Sequence, residues 1–253
     1  MEGQIKWAIM DLDDTLYDYK HSNEEWTAAV LEYAEKKLNE KNEEFPAKTV
    51  DQQKKITRAE IKDAISLGRK ETNEAMPTQW SWHSRLLYFQ KAIEKLTWRT
   101  NFELTLEMEK IFWDAFVEHM EIYDGALDFL KKLKQTNRKV TILTDLTAQI
   151  QHKKIMKLLW WNQHYVDYLV SSEEVGEEKP WSKWFDLSMR KMGISDKDEV
   201  CMIGDNYKKD IIGAKNFWIT KLYHKVNDEG KQEGEEGDGV THFKFYSEIQ
   251  WDF

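Results

Sequence analysis

The chain has a single cysteine, Cys201, among its 253 residues. A lone thiol builds neither a disulfide framework nor a cysteine metal site. Within "DEVCMIGD" it sits in an apolar run and reads as a small core residue. Prolines are also scarce, three in all. No apolar run approaches the length of a membrane span, so no membrane partner is expected. The first apolar stretch stops at Asp11, too soon for a secretory signal, and a cytoplasmic protein is the simplest expectation. Positive charge is in deficit: 37 Lys and Arg face 46 Asp and Glu, a net charge of -9. Nucleic acid is therefore not an expected partner, although a local basic pocket could still bind an anion.

Hydrophobic residues make up 41% of the chain and charged residues 33%, a balance that suits a folded globular protein rather than a disordered one. The length suffices for one large domain or two modest ones. The 12 tryptophans are a large apolar payload, expected mostly as packing, though they leave self-association open, as a monomer or a homodimer.

Local patterning divides the chain. "IKWAIM" (5–10) suits a short buried strand. From Asn23 to about Met120 the apolar residues recur at helical spacing, as in "NEEWTAAVLEYAEKKLNEK" and "LTLEMEKIFWDAFVEHM". That block predicts four or five helices and no strand, with the charge run "EKKLNEKNEEFPAK" as a solvated helix end plus a loop. After "EIYDG" strands and helices alternate. "KVTILT", "VDYLVSS", "EVCMIG" and "ITKLYHK" read as strands. "ALDFLKKLKQTN", "AQIQHKKIMKLLWW", "WSKWFDLSMRKMG" and "KKDIIGAKNF" read as helices, the third ending at Gly193. The Gly- and Glu-rich segment near 229–238 reads as a loop, and "THFKFYSEI" as a last strand with a helical turn. Alternation of this kind implies right-handed βαβ units and a parallel sheet. The fold expected is therefore α/β: a doubly wound, Rossmann-like parallel sheet (1–18 and 121–253) split by an all-helical insertion (19–120).

In such sheets ligands bind beyond the carboxyl ends of the strands. The residues there are Asp11-Leu12-Asp13, Thr144-Asp145, Lys179-Pro180 and Gly204-Asp205, with Asp210 five residues further on. Carboxylates, a hydroxyl and an ammonium are thus predicted to meet at one edge.

The segments "DLDDTL" (11–16), "ILTD" (142–145), "SSEEVGEEKP" (171–180) and "IGDNYKKDIIGAKN" (203–216), in this order, resemble the haloacid dehalogenase-like superfamily. The similarity is to its phosphatase branch, with a helical cap inserted after the first strand. It covers residues 4–20 and 120–223; the insertion resembles the cap only in position and helical character. The resemblance implies a phosphatase acting on a small phosphorylated metabolite. Asp11 would be the nucleophile, forming an aspartyl-phosphate. Asp13 would be the acid/base, kept protonated by the charge of Asp11 until it donates to the leaving group. Thr144 would bind the transferring phosphoryl group through its hydroxyl, assisted by the backbone N–H of Asp145, while Lys179 would neutralise its charge. Mg²⁺, a hard ion that prefers oxygen, would be held by Asp11, the main-chain carbonyl of Asp13 and Asp205, with Asp210 in support. Asp14 is expected to be structural or capping.

The helical insertion would be a lid, with "MPTQWSWHSRLLY" offering Trp80, Trp82, His83 and Arg85, and linkers near 16–22 and 119–125 that include Gly125. The same motifs also fit a phosphosugar mutase. A haloacid dehalogenase would share the nucleophile but have no use for Asp13 and Asp205, and a non-catalytic binding protein would be expected to lack Asp11, Asp13 or Lys179. The chain departs from the family at Trp218 and at Trp160 or Trp161, where glycine is usual. Tryptophan takes positive φ at a cost, so those turns are expected to differ.

Overall fold

The computed structural model describes residues 4–40, 55–77, 79–226 and 239–250. The chain divides into two compact units, Met1–Tyr19 with Met120–Phe253, and Lys20–His119.

The helical unit is built on α1 (Tyr19–Asn39), α2 (Arg58–Ala75), α3 (Arg85–Thr97) and α4 (Phe102–Glu118), and no strand occurs among its described residues. Its helix starts are written in the sequence. Thr57 and Glu60 form a reciprocal capping box on α2, and Asn101 accepts the Leu104 N–H at the start of α4. Gly68 on α2 admits the backbone of α3, since a Cβ there would come within 2.6 Å of the Tyr88 carbonyl. The interior is aromatic: Phe112 lies 4.7 Å from both Trp26 and Trp113, ring centre to ring centre, and 6.1 Å from Phe89. Arg85, anticipated as a lid contact, packs its guanidinium 5.2 Å from the Phe112 ring and donates to the His83 carbonyl at 2.6 Å. Trp82 accepts from the Tyr88 hydroxyl through its carbonyl. Thr78, the Trp80 side chain, the 41–48 part of the charge run and the 229–238 loop lie outside the described residues.

The α/β unit holds one sheet of six parallel strands: β1 (Trp7–Met10), β2 (Lys139–Thr144), β3 (Tyr168–Ser171), β4 (Val200–Gly204), β5 (Lys221–Lys225) and β6 (Val240–Phe243), in the order β3-β2-β1-β4-β5-β6. Helices α5 (Ala126–Gln135), α6 (Ala148–Leu159), α7 (Ser172–Val175), α8 (Ser182–Met192) and α9 (Gly213–Asn216) connect the strands and cover both faces. This is the doubly wound architecture expected. All four residues of β1 are buried, as a central strand covered on both sides requires. One face packs Ile9, Val170, Trp184, Phe185, Met202 and Ile211 together. Cys201 is buried, and Gly193 caps α8 in the left-handed region. No described helix is long and apolar enough to cross a membrane.

The chain reverses its winding direction between β1 and β4, which are neighbours. That switch point opens a crevice at the carboxyl edge. The connections on either side of the helical unit also pair: Tyr17 bridges Ile122, and the Tyr123 N–H donates to the Leu16 carbonyl at 2.8 Å.

Two expectations need correction. The turns at Trp160 and Trp218 keep positive φ, 30° and 70°, and the tryptophans adopt it. Their side chains are exposed, and the Trp218 N–H still closes the chain end of α9 on the Lys215 carbonyl at 3.0 Å. Among the described tryptophans, Trp7, Trp113 and Trp184 are buried and Trp26 packs against Phe112, whereas Trp98, Trp160, Trp161, Trp181 and Trp218 are exposed. The helix read in "KKDIIGAKNF" also begins as a wide, π-type turn over Tyr207–Ile212 before α9.

Candidate active site

The register of the sheet assembles the site. Met10 of β1 lies opposite Ile142 of β2 and Ile203 of β4, so the next residues on each strand emerge side by side. Asp11 continues the ladder by donating its N–H to the Ile203 carbonyl at 2.9 Å. One of its carboxylate oxygens and one each from Asp205 and Asp210 lie within 4.8 Å of one another. Gly204 makes this possible: a Cβ there would sit 2.6 Å from the Asp210 Cβ, so only glycine lets Asp210 fold back against the end of β4.

Lys179 stands among these acids. Its Nζ donates to Asp11 Oδ1, to Asp210 Oδ1 at 2.7 Å and to the Leu143 carbonyl at 3.4 Å. Burial works against its ammonium, but Asp11 and Asp210 outweigh that and push it well above the ordinary lysine value. Burial pushes the Asp11 carboxyl well up against the pull of Lys179, with Asp210, Asp205 and Asp13 adding to the rise. Asp205 is pushed up to about 8, by burial and then by Asp210. Three buried or half-buried carboxylates with one ammonium form a cluster short of positive charge. Oxygen-only donors at this spacing could hold a hard metal ion. Asp210 already receives Lys179 on Oδ1 and the Asn206 N–H on Oδ2 at 3.1 Å.

The second strand end is tied in through Asp145. Its Oδ1 accepts the Lys179 N–H at 3.3 Å and its Oδ2 accepts Lys209 Nζ at 3.0 Å, while Lys209 also reaches Glu178 at 3.2 Å. Thr144 is buried at the end of β2, its hydroxyl 3.4 Å from the Asp145 carbonyl. Asp11, Thr144, Asp145, Lys179, Asp205 and Asp210 are thus gathered at one edge.

Asp13 is placed differently. Its carboxylate is outside the three-acid cluster and accepts from Lys154 Nζ at 2.7 and 3.0 Å and from the Tyr17 hydroxyl at 2.5 Å. The hydrogen-bond partners of Asp13 are therefore donors, in addition to the charge of Asp11 nearby. Asp14, at φ 56°, accepts the Tyr19 N–H that opens α1 at 2.9 Å.

Sequence reasoning missed four residues that shape the site. Thr15 donates towards Asp11 Oδ2 at 3.3 Å and receives the Asp205 N–H at 3.1 Å, linking the two strand ends. Lys209 and Glu178 brace Asp145. Lys154 gave one signal: it follows Ile150 by four residues, on the buried face of α6, where a lysine is out of place.

Comparison with known proteins agrees with the geometry. The signature of haloacid dehalogenase-like hydrolases matches residues 5–217. A ribulose-1,5-bisphosphate 5-phosphatase of Halopiger xanaduensis is 32% identical over 88% of this chain and 85% of its own length. A pyrimidine 5'-nucleotidase of Escherichia coli is 29% identical over 51% of this chain and 56% of its own. Among solved structures, a phosphatase of this superfamily from Thermococcus onnurineus superposes with a TM-score of 0.62 over 90% of each chain at 16% identity. A 2-haloacid dehalogenase of Pseudomonas syringae reaches 0.66 at 15% identity, over 95% of this chain and 94% of its own. At such identities the structures speak for the fold alone. The ordered motifs, the sheet that brings their residues to one edge and the match along most of the sequence lead to one conclusion: the chain belongs to the haloacid dehalogenase-like hydrolase family.

Proposed function

We propose that this chain is a Mg²⁺-dependent phosphatase of a small phosphorylated metabolite, working through an aspartyl-phosphate on Asp11. The observation that carries the reading is the meeting of Asp11 with Lys179, Asp205 and Asp210 at the switch point of the sheet. The donor set suits Mg²⁺, held by Asp11, the Asp13 carbonyl and Asp205 with Asp210 behind them. When bound, the ion would screen the charge between carboxylate and phosphoryl group.

The chain's own residues divide the work. An Asp11 oxygen attacks phosphorus as the bond to the leaving oxygen breaks. Asp13 gives that oxygen a proton and afterwards takes one from the water that cleaves the Asp11–phosphoryl bond. Thr144 and the Asp145 N–H hold the phosphoryl oxygens, and Lys179 offsets their charge. Asp145 is itself held by Lys179 and Lys209, which fixes the amide for that task. The helical unit, inserted between the strand that carries Asp11 and the rest of the sheet, acts as the cap and supplies substrate selectivity.

The named relatives act on sugar phosphates and nucleotides, and the substrate of this chain is proposed from the same class, small phosphorylated metabolites. Asp13 and Asp205 favour this reading over dehalogenation, which needs neither. The test is a screen of phosphorylated metabolites, ribulose-1,5-bisphosphate and pyrimidine nucleotides included, with purified protein and Mg²⁺. Phosphate release that EDTA stops and Mg²⁺ restores is the expected result. Release that persists in EDTA would refute the metal dependence, and no release from any phosphate ester would refute the phosphatase reading.

A further inference from the structure

The mechanism above does not use Lys154, although its ammonium bonds both oxygens of the acid/base carboxylate. Lys154 is fully buried on α6 and its side chain has no exposed surface, whereas the Asp13 side chain keeps 26% of its own. Nζ spans both Asp13 oxygens, at 2.7 and 3.0 Å. The Tyr17 hydroxyl adds a third donor on Oδ1 at 2.5 Å. The ammonium also lies 5.7 Å from the centre of the Tyr17 ring and 5.6 Å from that of Tyr19. The carboxylate is thus gripped from the protein side and open on the other.

Stability does not account for a lysine here. Buried ion pairs contribute little net stability, because desolvation offsets their attraction, and apolar residues of similar volume often replace them without loss. A methionine would fill the same space beside two tyrosine rings. What a methionine would not supply is a cation bridging both oxygens. Such a cation, bonded to both oxygens, fixes the plane of the carboxylate.

We propose that Lys154 is a positioning residue for Asp13, acting chiefly in the second half of the reaction. It holds the carboxylate oriented to accept a proton from water while the water oxygen bonds to phosphorus and the phosphorus–Asp11 bond breaks. Asp13 leaves that step neutral and returns the proton to the leaving oxygen of the next substrate; Lys154 keeps its own proton throughout. This inference rests on the phosphatase reading. It separates the two half-reactions: loss of Lys154 slows breakdown of phospho-Asp11 more than its formation.

The experiment uses the full chain with Mg²⁺ and an aryl phosphate whose leaving group needs no acid. Steady-state turnover is measured, and acid-quenched intact-protein mass spectrometry reads the phosphorylated fraction. Lys154→Met is expected to lower kcat by about 10- to 100-fold, below the full range of acid/base catalysis because Asp13 remains. The phosphorylated fraction is expected to rise severalfold. Lys154→Arg, which keeps the cation, is expected to recover most of both. In an Asp13→Asn background Lys154→Met is expected to change little further. Should Lys154→Met fail to fold, Lys154→Gln carries the same measurements. A fall in kcat with an unchanged or smaller phosphorylated fraction overturns the proposal, as does an unchanged kcat. A wild-type protein that neither turns over the ester nor becomes phosphorylated overturns the phosphatase reading, and this inference with it.

Discussion

Phe112 and Asp11 are both buried, each at the heart of its own unit, in opposite company. Phe112 is ringed by Trp26, Trp113, Phe89 and Phe116, and the ion pairs of the helical unit, such as Arg58–Glu35 and Lys110–Asp114, stay at its exposed surface. Asp11 is surrounded by Lys179, Asp205, Asp210 and Thr15. The α/β unit therefore buries charge where the helical unit buries rings. Apolar burial needs no further explanation, since it is the main favourable contribution to folding. Buried charge opposes folding unless paired, so its concentration at one sheet edge singles that edge out as the candidate site.

The contrast can be broken most sharply at Asp11. Asp11→Asn is expected to lower phosphate-ester hydrolysis by at least about three orders of magnitude, the scale of losing a covalent nucleophile, while far-UV circular dichroism stays unchanged. Activity surviving the substitution would remove Asp11 from the nucleophile's role. Phe112→Ala makes the converse experiment. It should cost about 3–5 kcal/mol in chemical denaturation, the usual range for a large aromatic deleted from a core. A cost near zero would show that the aromatic cluster does not hold the helical unit together.

A third prediction concerns pH. Asp205, raised to about 8, and Asp11, raised in the same direction, bind protons more tightly folded than unfolded. Their contribution to the stability of the metal-free protein should therefore be greatest below about pH 4 and decline as pH rises, the Asp205 part levelling off above about 8. Mg²⁺ should flatten that decline, because a bound cation favours the ionised acids. Thermal melts at several pH values, with EDTA or with Mg²⁺, read both effects; a metal-free melting temperature that climbs between pH 5 and 8 would contradict the sign. The smallest effect is expected at Lys110→Ala. Its pair with Asp114 is exposed on both sides, so the melting temperature should not move measurably.

Much of this molecule was legible before its structure. The buried run ending in Asp11, the alternation after Gly125 and the residues closing each strand pointed to a parallel sheet and to a candidate site at its carboxyl edge, because strand burial and strand-end chemistry are local properties. The helical texture between Asn23 and Met120 was equally plain. Other features depended on what surrounds a residue. Trp160 and Trp218 stand at positive φ with exposed side chains, a combination that no local pattern reveals. Asp13 lies beside Asp11 in sequence, but its carboxylate also pairs with Lys154, distant in sequence and delivered by α6.

The sequence by itself determined the order of elements, the insertion after the first strand and the identities of the strand-end acids, since these follow from periodicity and residue type. Only the tertiary structure decided which acids stand together. Asp11, Asp205 and Asp210 converge because β1 and β4 are neighbours at the switch point and Gly204 leaves room for Asp210. Asp13, two residues from Asp11, pairs instead with a buried lysine. Electrostatic energy depends on distance in space, and the fold alone sets those distances.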